Sequence, residues 1–277
     1  MNELPATSHS YPVDIVGHVP FRRGTADVVL RPDEFPVESR CENGLPVPDR
    51  TLWVSPDYGR TEQDYLRIGR EQTDMMRHLL SSHGCSLPSN SRILDFGCAA
   101  GRMTRWLLPE TTANAVIGVD VDAASVYWCQ QHLSPPFTFL TSTLQPHLPF
   151  RDDTFGLVFS GSVFTHIEDL ADAWLAELAR VLAPGGYAYL TIHDEATCAQ
   201  LEGPWRTSHF ARTRTALPAY REFASRPYCR FTIGRGIASQ VFYTREWWRK
   251  MAAPWFEVMD FHEAAYLYQT AVVMRAR

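Results

Sequence analysis

Ten consecutive residues, Ile93-Leu94-Asp95-Phe96-Gly97-Cys98-Ala99-Ala100-Gly101-Arg102, carry the strongest chemical signal in the chain. A short apolar run ends at an acid, and a turn of small residues leads into a helix. Small residues let a backbone approach a ligand closely. The N–H groups that open a helix then face that ligand with partial positive charge. Asp95 stands where it can meet an ammonium group, directly or through water. A second apolar run, Val116-Ile117-Gly118-Val119, ends at Asp120, where a carboxylate can accept both hydroxyls of a ribose. A dinucleotide fingerprint would place glycine where Ala99 and Arg102 stand. Two plainer readings stand beside this one: a tight turn with no ligand, and Asp120 as a helix cap, although Asp122 is already available for capping.

Three further segments follow in order: Leu148-Pro149-Phe150-Arg151-Asp152-Asp153-Thr154-Phe155-Gly156-Leu157-Val158, then Ser160-Gly161-Ser162-Val163-Phe164-Thr165-His166-Ile167, then Arg180-Val181-Leu182-Ala183-Pro184-Gly185-Gly186. With the first turn, which is close to Asp-x-Gly-x-Gly-x-Gly with Ala99 in the middle place, they resemble the class I S-adenosylmethionine (SAM)-dependent methyltransferases of the small-molecule branch. The resemblance is strong over residues 60–195 and weak at Gln269–Met274. It implies a Rossmann-like α/β fold with a seven-stranded, mostly parallel sheet whose last strand is antiparallel. It implies SAM held by Asp95, Gly97, Cys98, Ala99, Gly101 and Arg102, by Asp120 and Val121, by an adenine wall of Ser142, Thr143 and Leu144, and by Ser160 and Gly161. Gly156 departs from the aspartate usual after the phenylalanine, which alters a local hydrogen bond away from the cofactor.

A hydroxyl or ammonium acceptor must lose a proton around methyl transfer, and histidine titrates in the right range. His166 and His193 each follow the end of a predicted strand and are the candidate bases. For His166 the alternative is a structural role, fixing the turn ahead of Glu168. A sulfur acceptor needs no base.

The elements that must hold these residues alternate. Thr61 and Asp64 are spaced as a capping box for a helix running to Gly84. Strands are predicted at 92–96, 115–119, 137–140, 157–160 and 187–192. Helices are predicted at 103–108, stopped by Pro109; from Asp122 to before Pro135, with Ala124, Tyr127 and Trp128 inward; and at 168–182. Short apolar strands alternating with amphipathic helices imply a parallel sheet covered on both faces. Residues 240–243 read as a strand, Thr244 opens a helix, and strands follow at 256–261 and 269–275. Residues 1–60 are a proline-rich extension with short strands at 13–16 and 28–30, and 61–277 form the catalytic domain. Within it, 195–238 break the rhythm and read as a substrate-covering insertion.

That insertion holds Arg206, Arg212, Arg214, Arg221, Arg226, Arg230 and Arg235. They signal either an anionic acceptor or a solvated surface in a chain with a single lysine. The net charge of −5 argues against nucleic acid and anionic membranes as partners. No apolar run is long enough to cross a bilayer. After the fourth strand, Ser160-Gly161-Ser162-Val163 stands where an Asn-Pro-Pro-Tyr-like motif would mark nucleic-acid methylation. The six cysteines lack metal-ligand spacing and imply reduced thiols in the cytoplasm, so no metal is expected. The expectation is methyl transfer from SAM to a small molecule, oxygen before nitrogen or sulfur, with release of S-adenosylhomocysteine. Other SAM chemistry such as cyclisation, or a protein or RNA acceptor, is the alternative.

Overall fold

Thr61 opens the first helix, α1 (Glu62–Ser82), through the expected capping box: its side chain accepts the Asp64 N–H and the Asp64 carboxylate accepts the N–H of Thr61. The computed structural model describes residues 43–277 except 86, 88, 89, 113, 168, 226–229 and 234–238. The strands expected at 13–16 and 28–30, together with Arg226 and Arg235, lie outside the described residues.

Strands β1 (Arg92–Phe96), β2 (Ala115–Asp120), β3 (Thr138–Thr141), β4 (Phe155–Ser160) and β5 (Leu182–Ile192) pair in parallel. Strands β6 (Arg230–Ile233) and β7 (Gln240–Tyr243) form a separate antiparallel pair. Strands β8 (Phe256–Tyr266) and β9 (Gln269–Ala276) complete a seven-stranded sheet of order β3-β2-β1-β4-β5-β9-β8. Strand β9 runs antiparallel to both its neighbours, as expected of the last strand. The order reverses between β1 and β4, which opens a crevice at the carboxyl ends of these strands.

Alternation along each strand feeds two cores. Ile93, Val116, Leu157 and Tyr189 pack on one side with α1 and α2 (Ala123–His132), while Leu94, Val119, Val158 and Leu190 pack on the other with α3 (Ala171–Val181) and α7 (Arg245–Ala252). The insertion builds a third, smaller core. Its helices α4 (Glu195–Glu202), α5 (His209–Arg214) and α6 (Pro218–Ser225) bury Leu201, Phe210, Tyr220 and Phe223 against Phe242 and Tyr268.

Several boundaries differ from expectation. Pro109 does not stop the turn after β1: a 3-10 run covers Thr104–Thr112 with Pro109 inside, broken in dihedral terms at Leu107. Proline lacks an N–H but is tolerated where the ladder is already irregular. In α2 it is Val126, rather than the half-buried Tyr127, that joins Ala124 and Trp128 inside. Helix α3 starts at Ala171, and Leu182 already belongs to β5. Strand β7 lies outside the main sheet, joined to it by a bridge from Phe242 to His193 and by the packing of Val241 and Tyr243 on its core.

Candidate active site

The crevice at the strand reversal holds a cavity of about 610 Å³, a size that suits a small-molecule site. Its floor is the first turn. Gly97 sits at φ 89°, and a Cβ there would lie 2.0 Å from Val163 Cγ2, so only glycine fits. Ala99 also adopts a left-handed conformation, at φ 45°. Its N–H donates to Asp120 Oδ2 at 2.7 Å, and the N–H of Asp122 donates to Asp120 Oδ1 at 2.8 Å. Burial pushes the Asp120 carboxyl up to about 6 against these two donors.

A smaller pocket of about 40 Å³ shares Gly97, Ala99, Tyr58 and Tyr266 with the main cavity and adds Asp95, Cys98 and Arg102. Asp95 is 3% exposed, and its Oδ2 accepts the Thr104 hydroxyl at 2.5 Å. Burial pushes it up to about 7; Asp120 adds to the rise, and Thr104 and Arg102 oppose it. The Arg102 guanidinium stacks 3.8 Å over the Tyr58 ring and donates to the Tyr266 hydroxyl, while its Nη1 is buried with no hydrogen-bond partner. An acid and an arginine with one orphaned N–H face the same small space, an arrangement suited to the ammonium and carboxylate of an amino-acid end.

Of the residues expected to hold a cofactor, Gly97, Ala99, Asp120, Val121, Ser142, Thr143, Leu144 and Gly161 line the main cavity. Gly101 and Ser160 line neither space. A Cβ on Gly101 would lie 2.5 Å from Leu133 Cδ1, so its smallness serves the packing of the turn on α2. Ser160 is buried at the end of β4.

The two histidines part company. His166 lines the cavity, and its Nδ1 lies 2.8 Å from the carbonyl oxygen of Ser239. A carbonyl only accepts, so Nδ1 carries the proton and Nε2 is the basic nitrogen. His193 is 1% exposed and outside the cavity lining, packed among the rings of Phe210, Phe242 and Tyr268 with no hydrogen-bond partner on either ring nitrogen. Burial, and then the charge of His166, hold its pKa well below the ordinary value.

The far wall comes from two segments. Val54, Ser55, Asp57 and Tyr58, just ahead of α1, face His209, Phe210, Thr213 and Arg214 of α5. Asp57 joins them: its carboxylate accepts the His209 N–H at 2.9 Å and the Phe210 N–H at 3.4 Å. The β8–β9 hairpin adds Tyr266, Tyr268 and Gln269. Gln269 accepts the Thr191 hydroxyl and donates to Ser162 Oγ, both at 2.8 Å. Sequence reasoning missed these hairpin residues. Their only signal was the weak resemblance beginning at Gln269.

Residues 94–190 match the methyltransferase-domain family. The demethylmenaquinone methyltransferase of Lactiplantibacillus plantarum is 32% identical over 48% of this chain and 56% of its own length. The malonyl-[acyl-carrier protein] O-methyltransferase of Geobacter sulfurreducens is 26% identical over 64% of this chain and 67% of its own length. The chain thus spans between about half and two thirds of these relatives. A SAM-dependent methyltransferase from Methanosarcina mazei, 17% identical, shares the fold at a TM-score of 0.51 over 71% of this chain and 96% of its own.

Proposed function

We propose that this chain, a member of the class I SAM-dependent methyltransferases, transfers the methyl group of SAM to a small-molecule acceptor, with oxygen favoured over nitrogen or sulfur. S-adenosylhomocysteine is the second product. The observation that carries the reading is the joint placing of Gly97 and Ala99, Asp120 and the Asp95–Arg102 pair around two adjoining pockets that share lining residues.

When bound, the cofactor supplies an electrophilic methyl on a sulfonium centre. This chain's residues do the rest. Asp120, fixed by two backbone donors, accepts the ribose hydroxyls. Asp95 takes the ammonium, and the orphaned Nη1 of Arg102 takes the carboxylate. Leu144, exposed at the cavity rim, offers an apolar face to adenine beside Ser142 and Thr143. Phe96, Val163, Ile167, Leu170 and Trp174 form an apolar wall that excludes water. His166 receives the acceptor's proton on Nε2. His193 shapes the acceptor end by packing.

The acceptor carries an anionic group. Arg214 lines the cavity from α5, and its Nε is buried with no hydrogen-bond partner. The other described arginines of the insertion do not line it: Arg206, Arg212 and Arg221 are exposed, and Arg230 pairs at 3.3 Å with Asp169, itself a lining residue. A carboxylate or phosphate on the acceptor satisfies Arg214.

Labelled methyl from SAM, followed into fractionated extract, tests the reading. Label is expected in low-mass anionic metabolites. Label in protein or RNA, or cofactor binding with no transfer, would point to the alternatives. With the acceptor in hand, Arg214→Gln should raise its KM about tenfold and leave SAM affinity unchanged. His166→Gln should lower kcat about 100-fold, the usual scale of a lost general base, and His193→Gln should leave the pH profile of kcat in place.

A further inference from the structure

Away from the cavity, three side chains from distant parts of the chain converge. His83 caps the end of α1, and Asp260 and His262 lie on β8. Their ladder partners, Val273 for Asp260 and Ala271 for His262, show that the two point to the same face of the sheet. Phe261, between them, belongs to the core on the other face. The Nε2 atoms of His83 and His262 are 3.0 Å apart, and Asp260 Oδ2 lies 3.8 Å from the first and 3.7 Å from the second. His78, earlier on α1, is close enough for its charge to be felt at His262.

We propose that His83, Asp260 and His262 bind one zinc-class divalent cation that bolts the end of α1 to β8. The triangle formed by the three ligand atoms has a centre about 2.0 Å from each of them, which matches zinc–imidazole and zinc–carboxylate bonds of roughly 2.0–2.2 Å. Two imidazole nitrogens facing each other hold at most one proton comfortably between them, so at least one lone pair is aimed at its neighbour. A cation at the centre uses both lone pairs and the carboxylate. The second oxygen of Asp260 accepts the Phe261 N–H at 2.7 Å, which orients Oδ2 toward the histidines in the manner of supporting groups around metal ligands. Two imidazoles and a carboxylate suit zinc, cobalt, nickel or copper, and not the all-oxygen shells of calcium and magnesium. The histidines are about one-fifth exposed and Asp260 about half, so remaining positions are open to water.

None of the three lines the catalytic cavity, so the ion is structural. It ties two segments that are 179 residues apart in sequence. The other end of β8 carries Tyr266, which meets Arg102 in the cofactor pocket.

Untagged, chelator-stripped full chain titrated with zinc chloride tests this. One equivalent should bind with micromolar affinity or better. Saturating zinc should raise Tm by about 5 °C, the scale expected for a ligand in large excess over its Kd. His262→Gln and Asp260→Asn should each weaken zinc at least tenfold and abolish the Tm shift, and both should keep wild-type affinity for S-adenosylhomocysteine, which shows that they fold. Cobalt should give visible d–d bands that His262→Gln removes. Absence of zinc binding, or wild-type binding by both variants, would overturn the proposal. Because the cofactor measurement is separate, either result leaves the methyl-transfer reading to its own test.

Discussion

Asp120 meets two backbone donors before any ligand arrives, from Ala99 on one oxygen and Asp122 on the other. Each carboxylate oxygen retains a lone pair, and the residue lines the cavity. A ribose hydroxyl pair therefore finds a pre-oriented acceptor, and little is lost in ordering it. Asp120→Ala should weaken SAM binding by about 1–3 kcal/mol, the scale of charge-assisted hydrogen bonds in a partly buried site. Calorimetry checks it, and unchanged affinity in a folded variant would place the ribose elsewhere. Asp120 was legible in the sequence because an acid ending an apolar strand has few other uses there. His193 was legible only as a position after β5. Its surroundings are Phe210 from α5, Phe242 from β7 and Tyr268 from the β8–β9 hairpin, and no spacing in the sequence links those four residues. The His83–Asp260–His262 cluster was hidden for the same reason.

Elements explain why two of the sequence motifs travel together. Arg180, in the last turn of α3, donates to the carbonyls of Leu148 and Phe150 and to the carboxylates of Asp152 and Glu177. Glu177 in turn accepts the Leu148 N–H at 2.5 Å. The segment before β4 and the segment before β5 are thus one clamp that fixes the turn under β4, with no contact to the cavity from either Arg180 or Glu177. The parallel strands were readable because burial on both faces leaves near-continuous apolar runs. The insertion was readable only as an interruption, since its helices are short and its core is shared with β7 and the β8–β9 hairpin. The cavity wall that faces α5 comes from residues 54–58, just before α1. Asp57 makes this wall one unit with α5 by holding the first two N–H groups of that helix. Asp57→Ala should free α5, with an effect of about 1 kcal/mol, as for a lost helix cap. Amide exchange over 209–214 should quicken several-fold, and S-adenosylhomocysteine should slow exchange in the wild type at both 54–58 and 209–214. Equal exchange in all these states would mean that the two segments do not act as a lid.

Across the whole molecule, a sheet covered on both faces takes its strand ends out of water, and the two carboxylates near the ends of β1 and β2 share in that, Asp95 buried and Asp120 half-buried at the cavity. Asp95 is pushed up to about 7 and Asp120 to about 6, against about 3.9 in an unfolded chain. Raised carboxyls bind protons more tightly in the native state than in the unfolded one. Their contribution to stability is therefore full below about pH 4 and is lost as pH rises through about 6 to 7. The ligand-free fold thus gives up stability near neutrality to keep two charges ready. A cofactor that donates its ammonium to Asp95 and its ribose hydroxyls to Asp120 favours the ionised forms of both. Binding must then expel protons in the window between about pH 4 and pH 7, and affinity must rise with pH across it. From pH 6 to pH 7.5, S-adenosylhomocysteine should bind roughly tenfold more tightly, with most of the gain from Asp95 because its pKa lies inside that interval. Calorimetry in buffers of different ionisation enthalpy should show about one proton released per cofactor at pH 6. Asp95→Asn should flatten the dependence while Asp120→Asn should leave most of it. An affinity that is constant from pH 6 to 7.5, with no proton exchanged, would mean that neither carboxylate meets the cofactor in its charged form.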